Sequence, residues 1–270
     1  MRQVLRAALG HVRLLGAAHR ARDVLCALRW YRHNRRFLNG WGGDGLAMPS
    51  ARLRLLTTGS PSVEWFVQSG QAAAEAIRDV LDTSGTPVEQ HDPILDFGCG
   101  CGRVTRHWTD LSSDVHGCDY NPALVEWCQT GLPFGHFDTN QLEPPLPYPT
   151  AHFTLVYALS VFTHLPAPLH RPWLAEIARV CQPGASLLIS THGEAYVNTL
   201  TESERHRFHT GQLVVRHEIE AGTNRCGAYC SEQYLQQQFA PEFEILRFVP
   251  RGARGNPHQD LTLLTAVSYR

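Results

Sequence analysis

Residues 93–104 read PILDFGCGCGRV: an apolar run that ends in an acid and then breaks into three alternating glycines. A short apolar run bounded by turn residues is the pattern of a buried strand, here Ile94 to Phe97, with a tight turn at its carboxyl end. Glycines at 98, 100 and 102 free the backbone for positive φ and let a ligand come close to the main chain. In an open α/β sheet the ligand crevice lies beyond the carboxyl ends of the strands. A nucleotide-like ligand is therefore expected at this turn.

The chain on either side alternates. A helix is expected from about Gly102, and Val115 to Cys118 forms a second strand. Asn121-Pro122 opens a helix, with Pro in its first turn. Phe153 to Leu159 is a strand, Arg171 to Cys181 a helix stopped by Pro183-Gly184, and Ser186 to Thr191 a further strand. Strands alternating with helices imply a parallel sheet covered on both faces. Phe243 to Val249 and Leu261 to Val267 have no helix-length segment between them, so they form an antiparallel pair at the sheet edge. Upstream, Ser62 caps a helix that runs to about Leu81, and the Gly-rich stretch 39–61 reads as a linker. The long insertion from Thr199 to Tyr229 holds a short strand within Gln212 to Glu218. Insertions of this kind form lids or substrate walls.

The glycine spacing discriminates between ligands. The dinucleotide fingerprint G-x-G-x-x-G fails from Gly98, where its third glycine would be Arg103, and from Gly100, where it would be Thr105. The pattern present is D-x-G-x-G-x-G. A carboxylate at Asp96 would repel a pyrophosphate and suits a cationic ligand. An NAD-dependent oxidoreductase is disfavoured on both counts.

This loop resembles that of the class I S-adenosylmethionine-dependent methyltransferases, in which the strand-end acid and the glycines hold the methionine part of the cofactor. The resemblance places Asp96 near the amino acid moiety, with Gly98, Cys99, Gly100 and Gly102 as the loop that lets it approach. It makes Asp119, in VHGCDYN, the acceptor for both ribose hydroxyls and sets Tyr120 against the adenine. Asp138, in FD before the next turn, either bonds the adenine amino group or is a solvated loop acid. FTLVYALSVFTHLP, from Phe153 to Pro166, resembles the fourth strand and the substrate-side loop, and Glu176 to Ala185 the helix and turn before the fifth. The tail GNPHQDLTLL, from Gly255 to Leu264, is similar to a subgroup of bacterial methyltransferases. The resemblance implies an α/β, Rossmann-like, seven-stranded mostly parallel sheet with an antiparallel C-terminal edge strand and an N-terminal helical cap. The Arg-rich start and the Gly-rich stretch read as a basic cap and linker (1–60), which leaves 61–270 as the methyltransferase domain. S-adenosylmethionine is then the cofactor. The neutral charge balance points to a small-molecule methyl acceptor, a sugar or biosynthetic intermediate, with oxygen as the expected nucleophile.

His164 follows the fourth strand, where acceptor and methyl donor meet. A neutral imidazole there can take a proton from an attacking group, or it can simply bond the backbone of its loop. His192 and Tyr229 are weaker candidates for the substrate side. A metal at Cys99 and Cys101 would need two further ligands in reach, and loops of the family it resembles tolerate Cys at these positions; the Cys226/Cys230 spacing has no second pair, so no metal is expected.

Composition bounds the rest. Of 270 residues, 43% are hydrophobic and 18% charged, which excludes a disordered chain. The net charge is -1, so no overall basic field draws nucleic acid. All 24 basic side chains are Arg, leaving no Lys to serve as a base. No apolar run is long enough to span a membrane, and eight Cys without a secretory leader fit a reduced, cytoplasmic protein. Residues 1–36 hold nine Arg and one acid, Asp23, with Arg6, Arg13 and Arg20 seven apart. They read as basic amphipathic helices. These form either a solvated cap or an arm for a membrane surface or protein partner. In the second case the chain could be a catalytically silent scaffold that works through the arm, although a non-binder has no use for the intact loop and Asp119.

Overall fold

The computed structural model describes residues 24–26, 28–239 and 242–267. Its elements are α1 (residues 28–41), α2 (Ala51–Thr58), α3 (Val63–Thr83), β1 (Ile94–Phe97), β2 (Val115–Asp119), α4 (Pro122–Gly131), β3 (His136–Thr139), β4 (Phe153–Ala158), α5 (Ala167–Val180), β5 (Cys181–Thr191), α6 (Glu202–His209), β6 (Val214–Arg216), β7 (Gly227–Tyr229), α7 (Glu232–Phe239), β8 (Phe243–Val249) and β9 (Asp260–Ala266). Seven strands form one sheet in the order β3-β2-β1-β4-β5-β9-β8, and β6 and β7 pair separately. The first five are parallel to one another, whereas β9 runs antiparallel between β5 and β8. This is the Rossmann-like sheet with an antiparallel C-terminal edge that the strand pattern implies.

The central strands are buried on both faces, so they read as unbroken apolar runs. Their period of two sorts side chains between two cores. Ile94, Leu155, Leu188 and Leu263 pack with Ile77 and Leu81 of α3 on one face. Leu95, Val156, Leu187 and Leu264 pack with Trp173 and Ile177 of α5 and Leu235 of α7 on the other. Ser62 caps α3 by accepting from Trp65 N at 3.1 Å, and Asn121 caps α4 by accepting from Ala123 N at 3.2 Å.

Three local expectations are corrected. The stretch read as a linker contains α2, begun by a Ser50 cap and stopped by Gly59 in the left-handed conformation. Buried Arg54 secures it by donating to the carbonyls of Pro49 and Pro61. The helix expected from Gly102 is only a turn followed by a 3₁₀ segment, Thr105–Trp108. Gly102 itself sits at φ 72°, outside helical space. Finally, α5 starts at Ala167 rather than Arg171, with Pro in its first turn, where a missing N–H costs nothing.

The described part of the N-terminal cap is joined to the body. Asn34 donates to Pro61 O at 3.1 Å and accepts from Val63 N at 2.8 Å. Phe37 and Trp41 pack against Val63, Phe66 and Val67. Arg106, fully buried, donates to both oxygens of Asp44 at 2.6 and 3.0 Å and so fastens the following loop. The Arg6, Arg13 and Arg20 repeat lies outside the described residues. Among the described residues, no helix is long and apolar enough to cross a membrane.

Candidate active site

The glycine loop is hooked onto β2. Gly98 N and Cys99 N both donate to Cys118 O, at 2.8 and 2.9 Å. Asp119 ends β2 and spans two neighbours, with one oxygen accepting from Gly100 N at 3.0 Å and the other from Asn121 N at 2.8 Å. Burial raises its carboxyl above the ordinary value, and these two amides offset part of that. From the opposite side, Thr57 of α2 clasps the loop. Its hydroxyl accepts from Cys101 N at 3.1 Å and donates to Cys101 Sγ at 3.2 Å.

These groups wall a cavity of about 810 Å³, within the roughly 300–1,000 Å³ usual for small-molecule sites. Gly98, Gly100, Asp119, Tyr120 and His164 all line it. Tyr120 is the most exposed of them, at 37%. A smaller space of about 320 Å³ adjoins it, shares Gly98, Ser160 and His164, and is lined by Asp96 and Cys99. The Asp96 carboxyl is buried, accepts from Thr105 Oγ1 at 2.5 Å, and lies near the Arg103 guanidinium. Burial pushes its pKa up to about 6.

The residues present suit S-adenosylmethionine. Gly98 and Gly100 hold φ of 79° and 57°. A Cβ at Gly98 would lie 2.4 Å from Val161 Cγ2, and one at Gly100 would lie 2.6 Å from Thr57 Cγ2. The cradle therefore exists only with glycine. Asn140 also lines the cavity, and its Oδ1 is buried with no partner among the described residues. An orphaned acceptor of this kind suits an exocyclic amine, since leaving it unpaired is costly.

Two expected cofactor residues are placed elsewhere. Gly102 lines neither space. A Cβ there would lie 2.2 Å from Leu132 Cδ1, so this glycine serves close packing of the turn on α4. Asp138, on β3, is half-buried, faces Tyr148 and lines neither space.

His164 sits at the end of a 3₁₀ turn, Phe162–His164, directly after β4. Its Nδ1 donates to Cys226 O at 2.6 Å, and its own carbonyl accepts from Gly222 N at 2.8 Å. The insertion between β5 and α7 thus grips this residue twice. With Nδ1 as donor, Nε2 carries the lone pair, and among the described residues it has no hydrogen-bond partner. Burial holds the imidazole below its ordinary pKa, so it is neutral near pH 7. His192 lies behind it, ring centroids 6.1 Å apart, and Tyr229 stacks on His192 at 5.1 Å. Neither lines the cavities. Among the described residues, no group of three His, Cys, Asp or Glu side chains is placed to hold a metal ion.

Three wall residues escape motif reading: Thr57, Asn140 and Trp173. Gln259 donates to Ser160 Oγ and accepts from Ser190 Oγ, both at 2.7 Å. Asn140 lies two residues past the acid that the motif singles out. Thr57 lies in the segment whose glycines masked α2.

The geometry defines a class: an open α/β sheet with a glycine cradle and a strand-end carboxylate at its carboxyl edge. Comparison with known proteins narrows this. The family profile described as a methyltransferase domain matches residues 95–189. A malonyl-[acyl-carrier protein] O-methyltransferase from Serratia marcescens is 28% identical over an alignment of 173 residues that covers 56% of this chain. The match spans 64% of the length of that curated relative. Among solved structures, the glycopeptide N-methyltransferase MtfA complexed with S-adenosylmethionine covers 73% of this chain and 94% of its own, at 16% identity and TM-score 0.51. The CcbJ methyltransferase from Streptomyces caelestis covers 74% and 90%, at 13% identity and TM-score 0.53. Residues 95–189 thus resemble a methyltransferase domain, and the sheet around them has the fold that these S-adenosylmethionine-dependent enzymes share.

Proposed function

We propose that the chain transfers a methyl group from S-adenosylmethionine to a small-molecule acceptor, with oxygen as the nucleophile. The observation that carries this is one cavity lined by the glycine cradle, Asp119 and a neutral His164 whose Nε2 is unengaged. When bound, S-adenosylmethionine supplies a methyl group made electrophilic by its sulfonium. The chain does the positioning. Asp119, held by the Gly100 and Asn121 amides, fixes the ribose side, and Asp96 meets the positively charged amino acid end. His164 Nε2 takes the proton from the attacking hydroxyl while Cys226 O holds the ring in place. Aligning donor and nucleophile in one pocket removes a large entropic part of the barrier. The acceptor end, walled by Leu55, Leu142, Leu165 and Trp173, favours an apolar body. The Serratia relative is an O-methyltransferase and MtfA an N-methyltransferase, so oxygen is supported here by the base rather than by kinship. A reduced, cytoplasmic setting belongs to the same reading and is supported by eight free thiols.

Calorimetric titration with S-adenosylmethionine, S-adenosylhomocysteine and NAD tests the cofactor. Binding of the first two but not the third, weakened at least about tenfold by Asp119→Ala, is expected from loss of a buried charged acceptor. No binding by folded protein would sink the reading and return the silent scaffold. For the base, His164→Ala should keep cofactor affinity and lose turnover. Full turnover of that variant from pH 6 to 9 would refute the assignment.

A further inference from the structure

The outward side of the N-terminal helix is built unlike the rest of the surface. Positions 24, 28, 31, 35 and 38 fall on one line of a helix, and 25, 29, 32 and 36 on the next. The first line holds Val24, Leu28, Tyr31, Arg35 and Leu38, and the second holds Leu25, Arg29, Arg32 and Arg36. Val24, Leu25, Leu28 and Tyr31 are 58–66% exposed. All four arginines are exposed, and residues 24–41 contain no acid. The opposite side is the one anchored to the body through Asn34, Phe37 and Trp41. The outer face is therefore not the remainder of a packed helix. It is an apolar ridge flanked by cations.

We propose that this face docks on an anionic phospholipid surface. Charge complementarity selects that occupant. An apolar ridge with long arginine side chains beside it can enter the headgroup boundary while the guanidinium groups reach phosphates. A second copy of the chain would set four arginines against four, which repels. A convex helix also offers no pocket for the buried anchors that a protein partner supplies. The sequence before it continues the same composition, with Arg2, Arg6, Arg13, Arg20 and Arg22 among Leu and Val. The placement has a use: Cys26, on the same segment, lines the 810 Å³ cavity, as do Arg52 and Leu56 of α2. A docked helix brings the cavity wall to the bilayer, where an apolar acceptor would be concentrated.

The test is sedimentation of the full chain with vesicles of phosphatidylglycerol and phosphatidylcholine, against vesicles of phosphatidylcholine alone. Binding is expected only to the mixed vesicles, and it should weaken with added salt. Two variants probe the face independently: Leu28→Glu with Tyr31→Glu, and Arg29, Arg32, Arg35 and Arg36 each to Gln. The second should lower the partition coefficient by at least about a hundredfold, from surface attraction of roughly 1 kcal/mol per arginine. Melting temperature and S-adenosylmethionine affinity should hold in both, because these side chains are exposed and lie away from the cofactor walls. The docking is read without turnover, so it stands or falls separately from methyl transfer. Failure of the wild type to sediment would overturn it. So would equal binding by both variants, which would assign the attraction to residues 1–23, or a dimer in light scattering that either variant dissolves.

Discussion

At the scale of single residues, Asp96 carries a conflict between folding and binding. Its carboxyl is fully enclosed, and burial raises its pKa from 3.8 to about 6. The native state therefore holds the proton more tightly than the unfolded chain. The stability this group contributes is complete below about pH 4 and is lost as pH rises through 6. At neutral pH the ionised form stays folded at a cost of about 1–3 kcal/mol. Asp96→Asn keeps an acceptor for Thr105 and removes that cost. The variant should melt higher than wild type at pH 8, with the difference shrinking toward pH 4, while binding S-adenosylmethionine less tightly. Thermal scans at the two pH values and a titration check both halves. Equal melting at pH 8 would mean that Arg103 already compensates the charge.

Among the elements, α2 is the piece that converts a common sheet into this particular site. Thr57 ties it to the glycine loop, and Asn224 Nδ2 ties the insertion to it through Leu56 O at 2.8 Å. Thr57→Val keeps the shape but strands Cys101 N. We expect cofactor affinity to fall about five- to twentyfold, with stability down by about 1–2 kcal/mol. Unchanged affinity in a titration would show that the loop holds itself. What sequence reading reaches follows the same division. The strands were legible because burial on both faces leaves apolar runs, and the loop because a positive φ beside a close contact admits only glycine. Helix α2 was not legible, since its eight residues lie between Gly-rich flanks that dominate any window. Asn140 was obscured by Asp138, which occupies the motif position but turns toward Tyr148. The contacts that hold His164 come from the insertion, where hydrogen bonds to main-chain atoms such as Cys226 O leave no side-chain signature.

For the molecule as a whole, histidine burial sets the acid limit. His107, His170 and His192 are each held down to about 4 by burial, and His91 and His164 are lowered as well. Their folded pKa values are depressed, so the unfolded chain binds protons first. The stability they contribute is present above pH 6.5 and is lost as pH falls toward 4. With three such groups, stability should drop on the order of 2–4 kcal/mol per pH unit across that window. This outweighs the opposite slope of the single Asp96. Urea titrations at pH 7, 6 and 5 measure it. A flat midpoint would show that these rings are open to solvent.

The contacts that close the cavity join distant parts of the chain. Arg103 to Asn256 spans 153 residues, Leu56 to Asn224 spans 168, and Ser160 to Gln259 spans 99. On the ribosome, the recognisable motif from Asp96 to Asp119 is thus finished long before its walls exist. Cofactor cannot template the early half of the fold, because nothing yet holds it in. Ligand capture has to wait for β9 and for Gln259 before it, and a nascent chain interrupted short of them carries the glycine loop and Asp119 without the walls that close on a ligand.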